Sequence, residues 1–86
     1  MAHKVGNELL ENIEKLHTSE LGVERILRNL SLGKETQVVE WCKEKIREPD
    51  AVIFVKGKNW YIKNRDSMIT VNTNSYTIIT AHKVKY

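Results

Sequence analysis

Ala51-Val52-Ile53-Phe54-Val55-Lys56-Gly57-Lys58-Asn59-Trp60-Tyr61-Ile62-Lys63 is the stretch in which the apolar period of the chain changes from about four to two. Residues 51–56 are continuously apolar up to a terminal lysine, which predicts a strand buried on both faces. Gly57-Lys58 then fits a two-residue hairpin with glycine at the first central position, the type II′ pattern. Residues 59–63 alternate, with Trp60 and Ile62 on one side and Tyr61 on the other.

Toward the C-terminus the period of two continues. Asn64-Arg65-Asp66-Ser67 reads as a turn and 68–72 as a third strand, with Ile69 and Val71 opposite Met68 and Thr70. Thr73-Asn74-Ser75 turns again, and 76–84 is the longest strand. Plain alternation puts Tyr76, Ile78, Thr80 and His82 on one face and Thr77, Ile79, Ala81 and Lys83 on the other. With Ile79 and Ala81 toward the core, Tyr76, Thr80 and His82 form a polar row on the open face.

Upstream the spacing is helical. Leu9, Ile13 and Leu16 make an i, i+4, i+7 stripe over 7–16, widened by Leu10. Thr18 or Ser19 caps a second helix that runs to about Leu30 on Val23, Ile26, Leu27 and Leu30. Gly22 in its first turn costs helix propensity, and a close approach of a neighbouring helix would explain it. Ser31-Leu32-Gly33-Lys34 reads as the stop, with Gly33 near the C-cap position. Thr36 caps a third helix to about Arg47, with Val38, Cys42 and Ile46 on one face, and Pro49 closes it. The expected fold is α+β: three N-terminal helices, then a four-stranded antiparallel meander in one domain over 1–86. Residues 1–6 are expected as a flexible tail, 7–48 as helical and 51–86 as sheet.

Composition bounds the function. Apolar content of 41% and charged content of 29% are those of a folded globular chain, and the longest apolar run is too short to span a bilayer. Nothing resembles a signal peptide, and the single Cys42 cannot form an internal disulfide, so a cytoplasmic protein is expected. Three scattered histidines and one cysteine lack metal-site spacing, so no metal and no cofactor is expected.

Charge is segregated. Residues 51–86 carry six Lys/Arg against the single acid Asp66, whereas 1–50 carry eight basic and ten acidic side chains, so the balance runs from −2 to +5. A basic sheet suits a polyanion, most simply RNA. Lys56, Lys58, Lys63 and Arg65 would hold phosphates, and Tyr61 and Tyr76 would stack bases.

His82 is the histidine that falls on a strand among cations. Metal-independent RNA cleavage needs a proton acceptor for the 2′-hydroxyl, a cation for the charged phosphorane and a proton donor for the leaving oxygen. Histidine suits acid or base work near neutral pH. His82 with Thr80 and Lys83 is therefore the candidate catalytic set. Cys42 lies on an apolar helix stripe and reads as an inert thiol. No nucleophile elbow, Walker or dinucleotide glycine pattern is present.

At residues 16–26, Trp41-Cys42-Lys43, Gly57-Lys58-Asn59-Trp60-Tyr61 and Ser75-Tyr76-Thr77-Ile78-Ile79-Thr80-Ala81-His82-Lys83 the chain resembles a short bacterial family of unknown function. That resemblance covers nearly the whole chain and implies no activity. The last strand, Tyr76-Thr77-Ile78-Ile79-Thr80-Ala81-His82, after a helical N-terminal part, is also similar to the barnase–EndoU–colicin–RelE group of small ribonuclease folds. The second resemblance implies metal-free RNA cleavage with Thr80 and His82 on the RNA face.

The leading expectation is an RNA-binding or ribonuclease-like module that uses its sheet. The alternative is a protein-interaction or regulatory module that binds a partner, or itself, through a sheet edge. Third is a winged helix, against which stand the wide apolar face of the third helix and its acidic neighbours Glu35, Glu40, Glu44 and Glu48.

Overall fold

The sheet is built from β1 (Val52–Lys56), β2 (Asn59–Asn64), β3 (Ser67–Asn72) and β4 (Ile78–Lys83), paired antiparallel in the order β1-β2-β3-β4. This is a computed structural model that describes residues 7–84; the tail expected at 1–6, together with Lys85 and Tyr86, lies outside the described residues. The helices are α1 (Asn7–Glu11), α2 (Glu20–Leu30) and α3 (Val38–Arg47), with a 3-10 turn at Ile13–Lys15. Three helices precede a four-stranded meander, an α+β fold.

Gly57-Lys58 makes the expected two-residue hairpin. Lys56 pairs with Asn59, and Gly57 takes a φ of 63° that costs a glycine little. From that register two core rows follow: Trp60 beside Val71 and Ile78, and Ile62 beside Ile69 and Ala81. All six are buried, and each large aliphatic among them contributes about 1.5–3 kcal/mol over exposure.

Alternation breaks in β4. Thr70 pairs with Thr80, but Val71 pairs with Ile78, so Ile79 is the extra residue of a β-bulge. The bulge turns both Ile78 and Ala81 inward and leaves Ile79 exposed. This corrects the plain alternation over 76–84, which put Ile78 on the open face and Ile79 toward the core. It also shortens the strand, because Tyr76 sits in the preceding turn with φ 61°.

β1 is also a correction. Read as buried on both faces, it is an edge strand with Val52 59%, Phe54 40% and Val55 49% exposed. The helices lie mainly over the rest of the sheet, α2 along β4 and α3 on α2 and β2, and of β1 only Ile53 packs against the core. An apolar run reports hydrophobicity, not which neighbours arrive to cover it.

The N-terminal helix is shorter than its stripe. Leu9, Ile13 and Leu16 are all buried as the spacing predicts, but α1 ends at Glu11. The Asn12 side chain and main chain both donate to the Glu8 carbonyl, at 2.9 and 3.2 Å, and the backbone tightens into the 3-10 turn. Ser19 caps α2 by accepting from the Gly22 N–H at 3.0 Å. α2 stops within the expected stretch, with Ser31 rather than Gly33 in the cap position. Ser31 takes φ 57°, its N–H reaches the Arg28 carbonyl and the Leu32 N–H reaches that of Leu27, a Schellman motif. α3 begins at Val38 with Gln37 in the cap position, one residue later than expected from a Thr36 cap, and without a side-chain cap hydrogen bond.

Two ties fix the helices on the sheet. The main chain of His17 bridges to Thr77, donating to the Tyr76 carbonyl and accepting from the Ile78 N–H. Asn64, buried at the end of β2, donates at 2.8 Å both to the Lys45 carbonyl and to Glu48 Oε1 at the end of α3.

Candidate nucleic-acid interface

Three cross-strand rows make up the face of the sheet opposite the Trp60 and Ile62 rows. Val52, Lys63, Met68 and His82 form one; Phe54, Tyr61, Thr70 and Thr80 the next; Lys56, Asn59 and Asn72 the third. No acidic residue occurs in any of the four strands, so the face carries cations without carboxylates between them. Phe54 and Tyr61 stack at the middle, with ring centroids 5.6 Å apart and planes 18° from parallel. Each ring of such a pair takes up one face of the other, and a further ring would stack on an outer face.

Lys56, Tyr61, Lys63, Thr80 and His82, all read from the sequence as site residues, share this face. Lys58 stands at the tip of the β1–β2 hairpin beyond it. Arg65 stands at the opposite end, in the β2–β3 turn, 3.6 Å from Asp50 with both side chains exposed. Two candidates lie elsewhere. Lys83 pairs with Ser67 and so projects to the opposite face. Tyr76 is a core residue, only 8% exposed, with its ring 5.2 Å from that of Trp60 and the Lys15 ammonium 5.4 Å above it. Burial and the nearby Glu8 carboxylate push the Tyr76 phenol above its ordinary range, which removes it further from proton transfer near neutrality.

His82 Nδ1 lies 3.1 Å from the Lys83 carbonyl, to which it can donate, and Nε2 makes no hydrogen bond to a described residue. Lys63 is two strands away in the same row, about 10 Å at ordinary strand spacing. Thr80 Oγ1 accepts from Asn29 Nδ2 over 3.4 Å, a long contact that links α2 to the edge of the face.

Phe54 escapes the sequence reading although its signal is present. A two-residue hairpin that pairs Lys56 with Asn59 also pairs Phe54 with Tyr61, and period two places both on the Lys56 face. Lys43 escapes it too. It is 6% exposed, its Nζ donates to Glu14 Oε1 at 3.0 Å and to Glu40 Oε2 at 3.3 Å, and Arg47 donates to the second Glu14 oxygen at 3.2 Å. The hydrogen bond and charge of Lys43 hold the Glu14 carboxyl below its usual range, and Glu14 raises Lys43 in return. This cluster is fully paired and joins the 3-10 turn to α3. Cys42 is buried beside it with its thiol pushed up to about 12 by desolvation, so it is not a nucleophile at neutral pH. Among the described residues, no group of three or more His, Cys, Asp or Glu converges as for a metal ion, and no helix is long and apolar enough to cross a membrane.

A family model described as Protein of unknown function (DUF3781) matches residues 10–82. No curated protein and no solved structure matches the chain.

Proposed function

The chain belongs to the DUF3781 family, whose function is unknown, and we propose that it is an RNA-binding module whose ligand is single-stranded and lies on the open face of the sheet. The observation that carries this reading is the stacked Phe54–Tyr61 pair at the centre of an acid-free face, with Lys56, Lys63 and His82 around it. Exposed aromatics take bases without regard to sequence, and the surrounding cations take phosphates.

Binding is favoured over cleavage. General acid–base cleavage uses two groups that trade protons, and His82 has Met68 and Lys63 as its row neighbours, with no carboxylate or second histidine in the four strands. The experiment is a titration of labelled single-stranded RNA at several salt concentrations, with chelator present and the RNA afterwards run on a gel. Salt-dependent binding with intact RNA supports the module. Cleavage by the wild type that His82→Ala abolishes would restore the ribonuclease reading, and absence of binding at low salt would end both.

A further inference from the structure

The two edges of the sheet are treated differently by the fold. The outer edge of β4 is guarded: His17 bridges to Thr77, Thr18 Oγ1 donates to the Ile78 carbonyl at 2.9 Å, and α2 runs alongside. The outer edge of β1 has none of this. Lys56 and Asn59 flank a two-residue turn and exchange hydrogen bonds, as then do Phe54 with Tyr61 and Val52 with Lys63. Ile53 and Val55 therefore aim their N–H and C=O groups outward, and no described residue bonds to them there.

Natural sheets blunt a free edge with an internal lysine, a proline, a bulge or a covering loop. β1 reads Val-Ile-Phe-Val-Lys, with its one charge at the end, a regular ladder to β2 and every residue but Ile53 exposed. The geometry points to a second copy of this chain as the occupant, joined by antiparallel pairing of β1 with β1 into one eight-stranded sheet.

The register follows from parity. A strand pair related by a two-fold axis keeps both open faces on one side, so open-face residues must meet open-face residues. Centring the axis on Phe54 pairs all five residues: Phe54 with Phe54 of the second copy, Ile53 with Val55, and Val52 with Lys56. The outward groups of Ile53 and Val55 then satisfy one another. The two Lys56 side chains stand at opposite ends, and the Lys58 tip of each hairpin comes alongside Asp50 of the other copy. An unrelated strand would have to reproduce both the parity and this charge placement.

One short strand buries less than the roughly 1,200 Å² of a standard interface. The expected dimer is therefore weak, with a dissociation constant of about 10–100 µM. The test is sedimentation of the full, nuclease-treated chain from ~5 to ~500 µM, a range that brackets such a constant. Val55→Pro removes an outward donor and Val55→Lys adds charge, and neither takes a bond from the β1–β2 ladder. The expected result is a mass that doubles with concentration in the wild type and stays monomeric in both variants, with circular dichroism unchanged. Phe54→Cys, self-opposed across the axis, should oxidise to a covalent dimer, whereas Lys56→Cys should not; Cys42 is buried and silent in both. A wild type that stays monomeric throughout overturns the proposal, as does a dimer that survives both Val55 variants or cross-linking at Lys56→Cys equal to that at Phe54→Cys.

Discussion

The Thr18 hydroxyl reaches the Ile78 carbonyl at 2.9 Å by lying directly over Gly22, across the position a β-carbon would take there. From sequence alone the close approach of a neighbouring helix would explain the glycine. The approach comes instead from the residue just ahead of the Ser19 cap, which uses the space to hold α2 against β4. Gly22→Ala should therefore destabilise the fold by about 1–2 kcal/mol, because its gain of about 1 kcal/mol in helix propensity is outweighed by the steric overlap and the lost hydrogen bond. In a Thr18→Ala background the same substitution should become stabilising. Urea unfolding of the four proteins measures the coupling, and additive effects would refute the arrangement.

Local rules carried the sequence reading wherever the cause of structure is local. Gly57-Lys58 set the hairpin, that hairpin set the register through β2, and Ser19 marked the start of α2. The expectations that failed depend on remote partners. The bulge at Ile79 lets Ile78 and Ala81 both face inward, and two adjacent isoleucines do not declare which is extra. β1 reads as doubly buried because its apolar run does not record that it is an edge strand of which only Ile53 packs against the core. Strand register places Lys56, Tyr61, Lys63, Thr80 and His82 on one face, whereas Tyr76, in the turn before β4, joins the core.

Stability should be flat near neutral pH and fall on both sides. Glu14 is held below 4.5 by the hydrogen bond and charge of Lys43, and Glu48 by the Asn64 amide, so their contributions are present above 4.5 and lost as pH falls through the lowered folded values. On the alkaline side Cys42, Tyr76 and Lys43 are raised from 9.0, 10.0 and 10.5, so their contributions are complete below those values and lost as pH rises toward the folded ones. Urea midpoints should thus hold from about pH 5 to about pH 9. Asn64→Ala should flatten part of the acid limb and Cys42→Ala the first part of the alkaline limb; unchanged limbs would contradict these assignments.

Tyr76 holds a left-handed backbone with a bulky side chain, at a cost of about 1–2 kcal/mol. Its packing on Trp60 must exceed that cost, since truncating a buried aromatic typically loses about 3–5 kcal/mol. Tyr76→Gly relieves the backbone and deletes the ring, so the expected net loss is about 2 kcal/mol. A variant more stable than the wild type would mean that the ring contributes less than the strain it imposes.

Lys56 and Lys83 give the sharpest test of the RNA face because they are cations of one sheet on opposite sides. Each phosphate contact to a single strand adds about 0.7 to the slope of log affinity against log salt. Lys56→Ala should lower that slope by about this amount, and Lys83→Ala should leave it unchanged. Tyr61→Ala should instead weaken binding about 5- to 150-fold at every salt concentration, because stacking on an aromatic contributes about 1–3 kcal/mol and releases no counterion. Equal loss from Lys56→Ala and Lys83→Ala would mean that RNA responds to net charge alone, and the sheet face would then have no claim as the site.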